Sequence, residues 1–518
     1  MKRNYQIILF ISILLVAFVF LACGKKAVTG NKPEISPTGS ATQPSGTPHP
    51  SEATGELTTV ISAPKTIIRE TVVQNMADLV FADRLPSELL LYVGEHIAAA
   101  TPQEADSMLL ILESIQKAWL EYYLERLDFS GNADPQTNQA YVDELALNGL
   151  RLVEVNRHMV PAIDYSLYRK WEGMLSGWFR DYIGIVQAET DSPAVTNGKL
   201  TIPKEELEKR LLITSGYIEN YPNSIRVNQV LNLYDSYLYG YLYGYGEDTA
   251  IDFTTRQISK DFYNRYLEFV KNNPDNHVSS IIAGYAAIIE KGSFLLTEEL
   301  EKYLEQVFSS LEDQQIVVRN DIGRQILMER IGGLLPQKTG FNWNCIGPGE
   351  YRHRAALTEI HTEDGNPVYT VTGLVSDPSV AENPDVSAAI ELEYRIEKNL
   401  LSQVKYAPFM PDSDFNGLEL IRYPFVQGHY WYQYPEDEMF NSTCIYTEII
   451  SVSQGNGQSV YEVEYRDPSN GRYERRLLQE GKGTIAFTKL CSDDTGETFE
   501  TGYYIDEANT GYPPLLVP

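Results

Sequence analysis

The chain has 518 residues, enough for about three domains of ordinary size. Hydrophobic residues make up 43% and charged residues 22%, the balance of a folded chain rather than a disordered one. Acidic residues outnumber basic ones 71 to 42, for a formal charge of -29, so nothing neutralises nucleic-acid phosphates and no nucleic-acid partner is expected. The four cysteines exclude a disulfide scaffold, and no Cys/His cluster has zinc spacing.

The amino terminus opens with Met1-Lys2-Arg3-Asn4, followed by an apolar run from Ile7 to Ala22 that stops at Leu21-Ala22-Cys23-Gly24. This run of sixteen residues, apolar but for Ser12, is short for a membrane span, which needs about twenty, but suits a signal peptide. The junction resembles the lipobox of bacterial lipoproteins, with a small residue before the cysteine. The resemblance implies a signal peptide over 1–22. It also implies that Cys23 takes diacylglycerol on its sulfur and, once acylated, becomes the palmitate-bearing amino terminus. Phe20 departs from the class preference for Leu, Val or Ile three residues before the cysteine.

Residues 23–63 follow as a tether rich in Pro, Ser, Thr and Gly that cannot bury a core. At about 3.1 Å per residue in extended form, the thirty-five residues 24–58 reach about 110 Å. No later apolar run of 18 or more residues appears, so the lipid is the expected membrane attachment.

Residues 64–337 read as an array of helical hairpins. Thr101-Pro102-Gln103-Glu104 carries a cap, a first-turn proline and a reciprocal glutamate, and the stripe Met108, Leu109, Leu112, Ile115, Trp119, Tyr122 follows at three- and four-residue spacing. Similar stripes occupy 137–159, 163–187, 204–220, 224–245, 252–272, 276–291, 297–313 and 317–334. Tyr221-Pro222-Asn223 and Asn273-Pro274-Asp275 punctuate two hairpins 52 residues apart, which gives the region tetratricopeptide-like character. Within it, Tyr237, Tyr241 and Tyr245 recur every four residues beside Gly240 and Gly244. At helical period they line one edge, either as a packing surface or as a platform on which sugars stack.

Residues 338–518 change to a period of two. Strands are expected over 350–361, 368–375, 388–396, 417–423, 444–453, 458–465, 473–479 and 484–490, separated by Asn/Gly and Pro/Gly turns. Thr358-Glu359-Ile360 and Gly365 to Val371 echo in Thr447-Glu448-Ile449 and Gly457 to Val463, with Trp343 and Trp431 ahead of each copy. Offsets of 88 to 92 residues point to a duplication, about 340–410 and 420–500. The expected fold class is therefore α+β and multidomain, an all-α helical-hairpin array followed by an antiparallel β sandwich or barrel-like module.

Gly340-Phe341-Asn342-Trp343, Gly349 to His353, Leu420 to Pro424 with Gly428 and Trp431, and Glu480-Gly481-Lys482-Gly483 resemble a module of uncharacterised lipoproteins from Gram-positive bacteria. That resemblance implies location and architecture and carries no catalytic residue with it. Asp412-Ser413-Asp414-Phe415-Asn416-Gly417 starts like a calcium loop, but Tyr423 stands where the chelating Glu belongs, so no metal is assigned. Tyr351, His353, Glu359 and His361 alternate along one extended segment and are placed on one face. Cys345, Cys444 and Cys491 leave every pairing open.

No Gly-x-Ser-x-Gly elbow, phosphate loop or dinucleotide glycine pattern occurs, so no cofactor and no catalysis is inferred. The expected function is a binding or scaffolding lipoprotein on the outer face of the bacterial membrane, whose partner is an envelope protein or wall glycan. An enzyme acting on peptidoglycan or polysaccharide is the alternative. A transporter's solute-binding lipoprotein is the second, and it would need two α/β lobes.

Overall fold

The computed structural model describes residues 71–127, 138–246, 248–318, 320–376, 389–406, 413–415, 417–435, 444–455, 457–492 and 495–513. The signal peptide, Cys23 and the tether lie outside the described residues, as do Asp412 and Asn416. Twelve α-helices among the described residues precede a twelve-stranded antiparallel sheet, so the chain is α+β with a helical region followed by a barrel-like β module.

The helices are α1 (Thr71–Phe81), α2 (Pro86–His96), α3 (Pro102–Glu125), α4 (Gln139–Leu147), α5 (Tyr165–Arg169), α6 (Gly177–Asp191), α7 (Lys204–Asn220), α8 (Val227–Tyr243), α9 (Lys260–Asn272), α10 (His277–Lys291), α11 (Glu298–Glu312) and α12 (Ile322–Gly332). The cap read from Thr101 forms as a reciprocal pair. Glu104 N–H donates to Thr101 Oγ1 at 3.3 Å, and Thr101 N–H donates to Glu104 Oε2 at 2.7 Å. The turns after α7 and α9 end those helices with nearly the same backbone angles, φ -132° at Tyr221 and -131° at Asn273.

The stripe over 137–159 is not one helix. α4 ends at Leu147, and the chain turns into a hairpin of β1 (Leu150–Val155) and β2 (His158–Ile163). Asn156 and Arg157 hold positive φ of 53° and 67°, the two-residue turn that matches strand twist. The alternation in Leu150-Arg151-Leu152 and Val153-Glu154-Val155, with two β-branched valines, prevailed over a helical pattern it also fits.

The barrel strands are β3 (Asn342–Ile346), β4 (Arg352–Glu363), β5 (Asn366–Ser376), β6 (Ala389–Glu397), β7 (Leu400–Lys405), β8 (Gly417–Arg422), β9 (Tyr430–Gln433), β10 (Ile445–Gly455), β11 (Gln458–Arg466), β12 (Tyr473–Gln479), β13 (Gly483–Ser492) and β14 (Thr498–Ile505). They form two six-stranded meanders, β3 to β8 and β9 to β14, joined where β3 pairs with β14. Between β8 and β9 the seam is bridged by a side chain. Glu419 N–H donates to Gln433 Oε1 at 2.8 Å, and Gln433 Nε2 donates to Glu419 O at 3.1 Å.

Register places the two meanders in correspondence strand by strand. Trp343 pairs with Ala355 and Trp431 with Thr447, and the β4–β5 and β10–β11 hairpins are both bulged, after Leu357 and after Ile449. Leu357 faces Val371 as Ile449 faces Val463, so the strand equivalent to Leu357 is Ile449, at the same 92-residue offset as the turns. The match of Thr358-Glu359-Ile360 to Thr447-Glu448-Ile449 is thus three residues out of register. The length difference between copies falls between β9 and β10 instead. The same bulge shifts the phase of β4: His353 is buried whereas His361 is half-buried beside Glu359 and Glu363. The four alternating residues therefore do not share a face.

The core does not divide at residue 338. One hydrophobic core runs from α1 to α6 through α12 into both meanders, and α7 to α11 hold a second. α12 closes over the barrel end. Gly481 N–H donates to Gly333 O at 2.8 Å and Gly483 N–H to Leu334 O at 2.7 Å, while the buried Arg330 reaches Asp83, Tyr461 and Glu480. Cys345, Cys444 and Cys491 form no disulfide with one another.

Candidate functional site

A cleft of about 730 Å³ opens between α6 and α7, floored in part by α8. Its shape follows from missing side chains. Gly216 lies inside α7, and a Cβ built there would meet nothing within 4 Å; across the cleft, a Cβ on Gly184 of α6 would meet only Arg169 Nη1, at 3.3 Å. A glycine inside a helix costs about 1 kcal/mol relative to alanine, and no neighbour within the protein requires this one.

The floor is a satisfied polar network. The guanidinium of Arg210, almost wholly buried, gives Nη1–H to Glu189 Oε2 at 2.9 Å and to Ser192 O at 2.8 Å, and Nε–H to Glu206 Oε1 at 3.1 Å. Tyr237 donates its hydroxyl to Glu189 Oε2 at 2.6 Å, and Ala194 N–H donates to Oε1 at 3.0 Å. Burial pushes the Glu189 carboxyl upward, against the pull of these donors and of Arg210. Both its oxygens are engaged internally, so it is poorly placed for proton transfer to a ligand. The rim carries both signs, with Arg169 against Glu172 at 2.9 Å and Lys209 against Glu206 at 3.6 Å.

Of the three tyrosines read as a platform, only Tyr237 touches this cleft, and it is 2% exposed. Tyr241 is buried against Tyr266 and Phe269, with its hydroxyl on Glu208 at 3.0 Å. Tyr245 is not on the helix at all. α8 stops at Tyr243 because Gly244 takes φ +78°, and the Tyr245 ring folds back over Gly240, where a Cβ would stand 2.2 Å from it. Its hydroxyl donates to Ser236 O at 2.9 Å. Tyr237 and Tyr241 therefore fill core while Tyr245 is half-buried against α8, and the pocket beside Tyr241 and Tyr245, about 20 Å³, holds little more than a water. Sequence reasoning passed over Gly184, Arg210 and Gly216. The one available signal was two glycines inside otherwise regular helical stripes.

Among the described residues no group of three or more His, Cys, Asp or Glu side chains could hold a metal ion, and no helix is long and apolar enough to cross a membrane. No family model matches the chain, and no curated protein matches it. Among solved structures, the crystal structure of a protein described as a "putative lipoprotein" from Parabacteroides distasonis is similar over 33% of this chain and 96% of that one. The identity is 9% and the TM-score 0.19, a likeness too slight to carry an argument.

Proposed function

We propose that the chain is a lipid-anchored binding or scaffolding protein of the bacterial envelope, held at the outer face of the membrane by diacylglycerol on Cys23. Its helical layer takes a partner in the α6–α7 cleft. The observation that carries the binding half is the half-buried backbone at Gly216, where helix stability is forgone and no neighbour inside the protein fills the space, facing Gly184, where only Arg169 Nη1 stands close. The rim charges of both signs favour a mixed-charge protein segment over a polyanion or polycation. Tyr217 and Tyr237 line the cleft while buried to 3% and 2% exposure, so they offer no open ring face to a sugar. The wall-glycan reading loses its platform with them. The enzyme reading is weakened by Glu189, whose oxygens are already occupied. The order of helices followed by one twelve-stranded sheet does not form two α/β lobes, which disfavours a solute-binding protein.

The test is photo-crosslinking in intact cells, with the crosslinking side chain at Ile213, which lines the cleft and is 45% exposed. The expected outcome is a protease-sensitive adduct in the membrane fraction. It should disappear in Gly216→Trp, which fills the cleft, and leave the membrane fraction in Cys23→Ser. An adduct unaffected by Gly216→Trp would remove the cleft from the proposal, and one sensitive only to glycan hydrolysis would restore the glycan reading.

A further inference from the structure

α3 ends at Glu125, against the loop that joins the two meanders. That loop presents His429, which is 0% exposed. His429 Nδ1 lies 2.8 Å from Pro424 O. A carbonyl only accepts, so Nδ1 carries a hydrogen, and in a neutral ring Nε2 is a bare acceptor. Nε2 faces Glu125 Oε2 at 3.6 Å, and neither atom has a hydrogen-bond partner. Two lone pairs are thus aimed at each other in a dry place, an arrangement that costs free energy unless a proton lies between them.

The surrounding charges decide which atom holds that proton. Arg422 of β8 is the cation facing this corner, and three carboxylates compete for it. Glu419 takes it with contacts of 2.7 and 2.8 Å, Glu121 stands at 3.6 Å and Glu125 at 3.9 Å. Glu121 also accepts from Asn399 Nδ2 at 3.0 Å. Arg126, the next residue of the chain, turns away to Glu144. Tyr122 meets the imidazole edge-on, and Tyr430 of β9 donates its hydroxyl to the Glu125 carbonyl. Glu125 Oε2 is therefore left with no donor of its own.

We propose that Glu125 is a neutral acid at pH 7 and shares its proton with His429, forming a latch between the helical layer and the loop that joins the two halves of the barrel. The latch releases when that proton leaves. Burial is the main force on both groups. It lifts the Glu125 carboxyl to about 8 against the pull of Arg422, with Glu121 and Glu419 adding to the lift. It also holds the imidazole down to about 4, with Arg422 opposing a second charge. An imidazolium facing a carboxylate would contain the same single proton, but it would place two full charges in the dry corner.

The pH dependence follows by linkage. Glu125 binds its proton more tightly folded than unfolded, so its contribution is complete below the ordinary glutamate range and is lost as pH rises through about 8. His429 is depressed, so its contribution is present above the ordinary histidine range and is lost as pH falls through about 4. The two oppose each other between the ordinary values, and above about pH 6.5 only the Glu125 effect remains.

Urea unfolding of the full chain and of Glu125→Gln, whose amide can still donate to Nε2, isolates that effect. Between pH 6.5 and 9 the unfolding constant of the natural chain is expected to rise about thirtyfold more than that of the variant. Nitrogen NMR of His429 at pH 7 is a second readout, independent of whether the variant folds, and should show a neutral ring protonated on Nδ1. Parallel pH curves, or a doubly protonated ring at pH 7, would overturn the proposal.

Discussion

The two meanders of the barrel share strand order, hairpin register and a bulge, yet each buries one cation on a different strand. In the first, Leu392 of β6 pairs with Lys405 of β7; at the corresponding place in the second, Arg476 of β12 pairs with Phe487 of β13. Apolar and cationic residues sit on opposite strands of the two pairs while the pairing is the same. Ser413 ties the two arrangements together. Its carbonyl accepts from Lys405 Nζ at 2.7 Å, and its hydroxyl donates to Glu474 Oε2 at 2.8 Å, with Arg476 Nη2 at 3.9 Å from the same oxygen. The comparison teaches that register is the conserved quantity of such a doubled sheet. Charge can migrate between neighbouring strands provided a partner follows it.

The sharpest way to break this arrangement is Arg476→Leu, which makes the second half resemble the first at β12 but leaves Glu474 buried without the guanidinium that faces it. Breaking a buried pair by removing one partner costs about 3–5 kcal/mol, read by urea unfolding at pH 7. Burial already raises the Glu474 carboxyl, against Arg476 and the donors at Ser413 and Asp414. The raised group protonates first as pH falls, so the penalty should shrink toward pH 5. A penalty independent of pH would mean that packing of the guanidinium over Phe487, at 4.8 Å, matters more than its charge.

The seams differ as well. β3 and β14 pair through main chain at Cys345 and Ile346, whereas β8 and β9 are joined by the Gln433 amide, which also donates to Thr447 Oγ1 at 2.8 Å. Gln433→Leu leaves the N–H and carbonyl of Glu419 without their partner and is expected to cost about 2–4 kcal/mol. Cys345→Ala on the other seam keeps the main-chain ladder and should cost about 1 kcal/mol. Equal losses in denaturant unfolding would show that Gln433 does not close the barrel.

Much of this sheet was legible beforehand. Tyr473 to Gln479, bounded by turns on both sides, forms a strand over those same residues, although its inward positions include Glu474 and Arg476. By contrast, Tyr430 to Gln433 and Asn342 to Ile346 are too short to establish a period, although Trp343 and Cys345 point inward between Asn342 and Asn344; both become strands through the neighbours they meet. The α6–α7 cleft was not legible because its parts are remote in sequence. Glu189, Arg210 and Tyr237 belong to three helices, and no spacing rule connects them. The tyrosine row shows a further limit. A four-residue period identifies a helix edge, but only packing decides whether that edge meets solvent or core, and a glycine at positive φ ended the helix before Tyr245.

The finest test of the duplication uses its two tryptophans, which hold equivalent pairing positions but differ in one hydrogen bond. Trp343 Nε1 donates to Lys482 O at 2.6 Å, in the turn that carries the α12 contacts, whereas Trp431 Nε1 is buried without a partner. Trp→Phe removes similar volume at both places. At Trp343 it also strands a carbonyl, while at Trp431 it removes an N–H that already went unsatisfied. The cost at Trp431 should therefore be smaller by about 1 kcal/mol, less whatever is lost from the Arg422 guanidinium 5.7 Å from that ring. If unfolding instead shows Trp431→Phe to be the more damaging change, the cation over the ring holds more of this seam than the indole N–H costs it, and the Gln433 clasp must be judged together with Arg422 rather than alone.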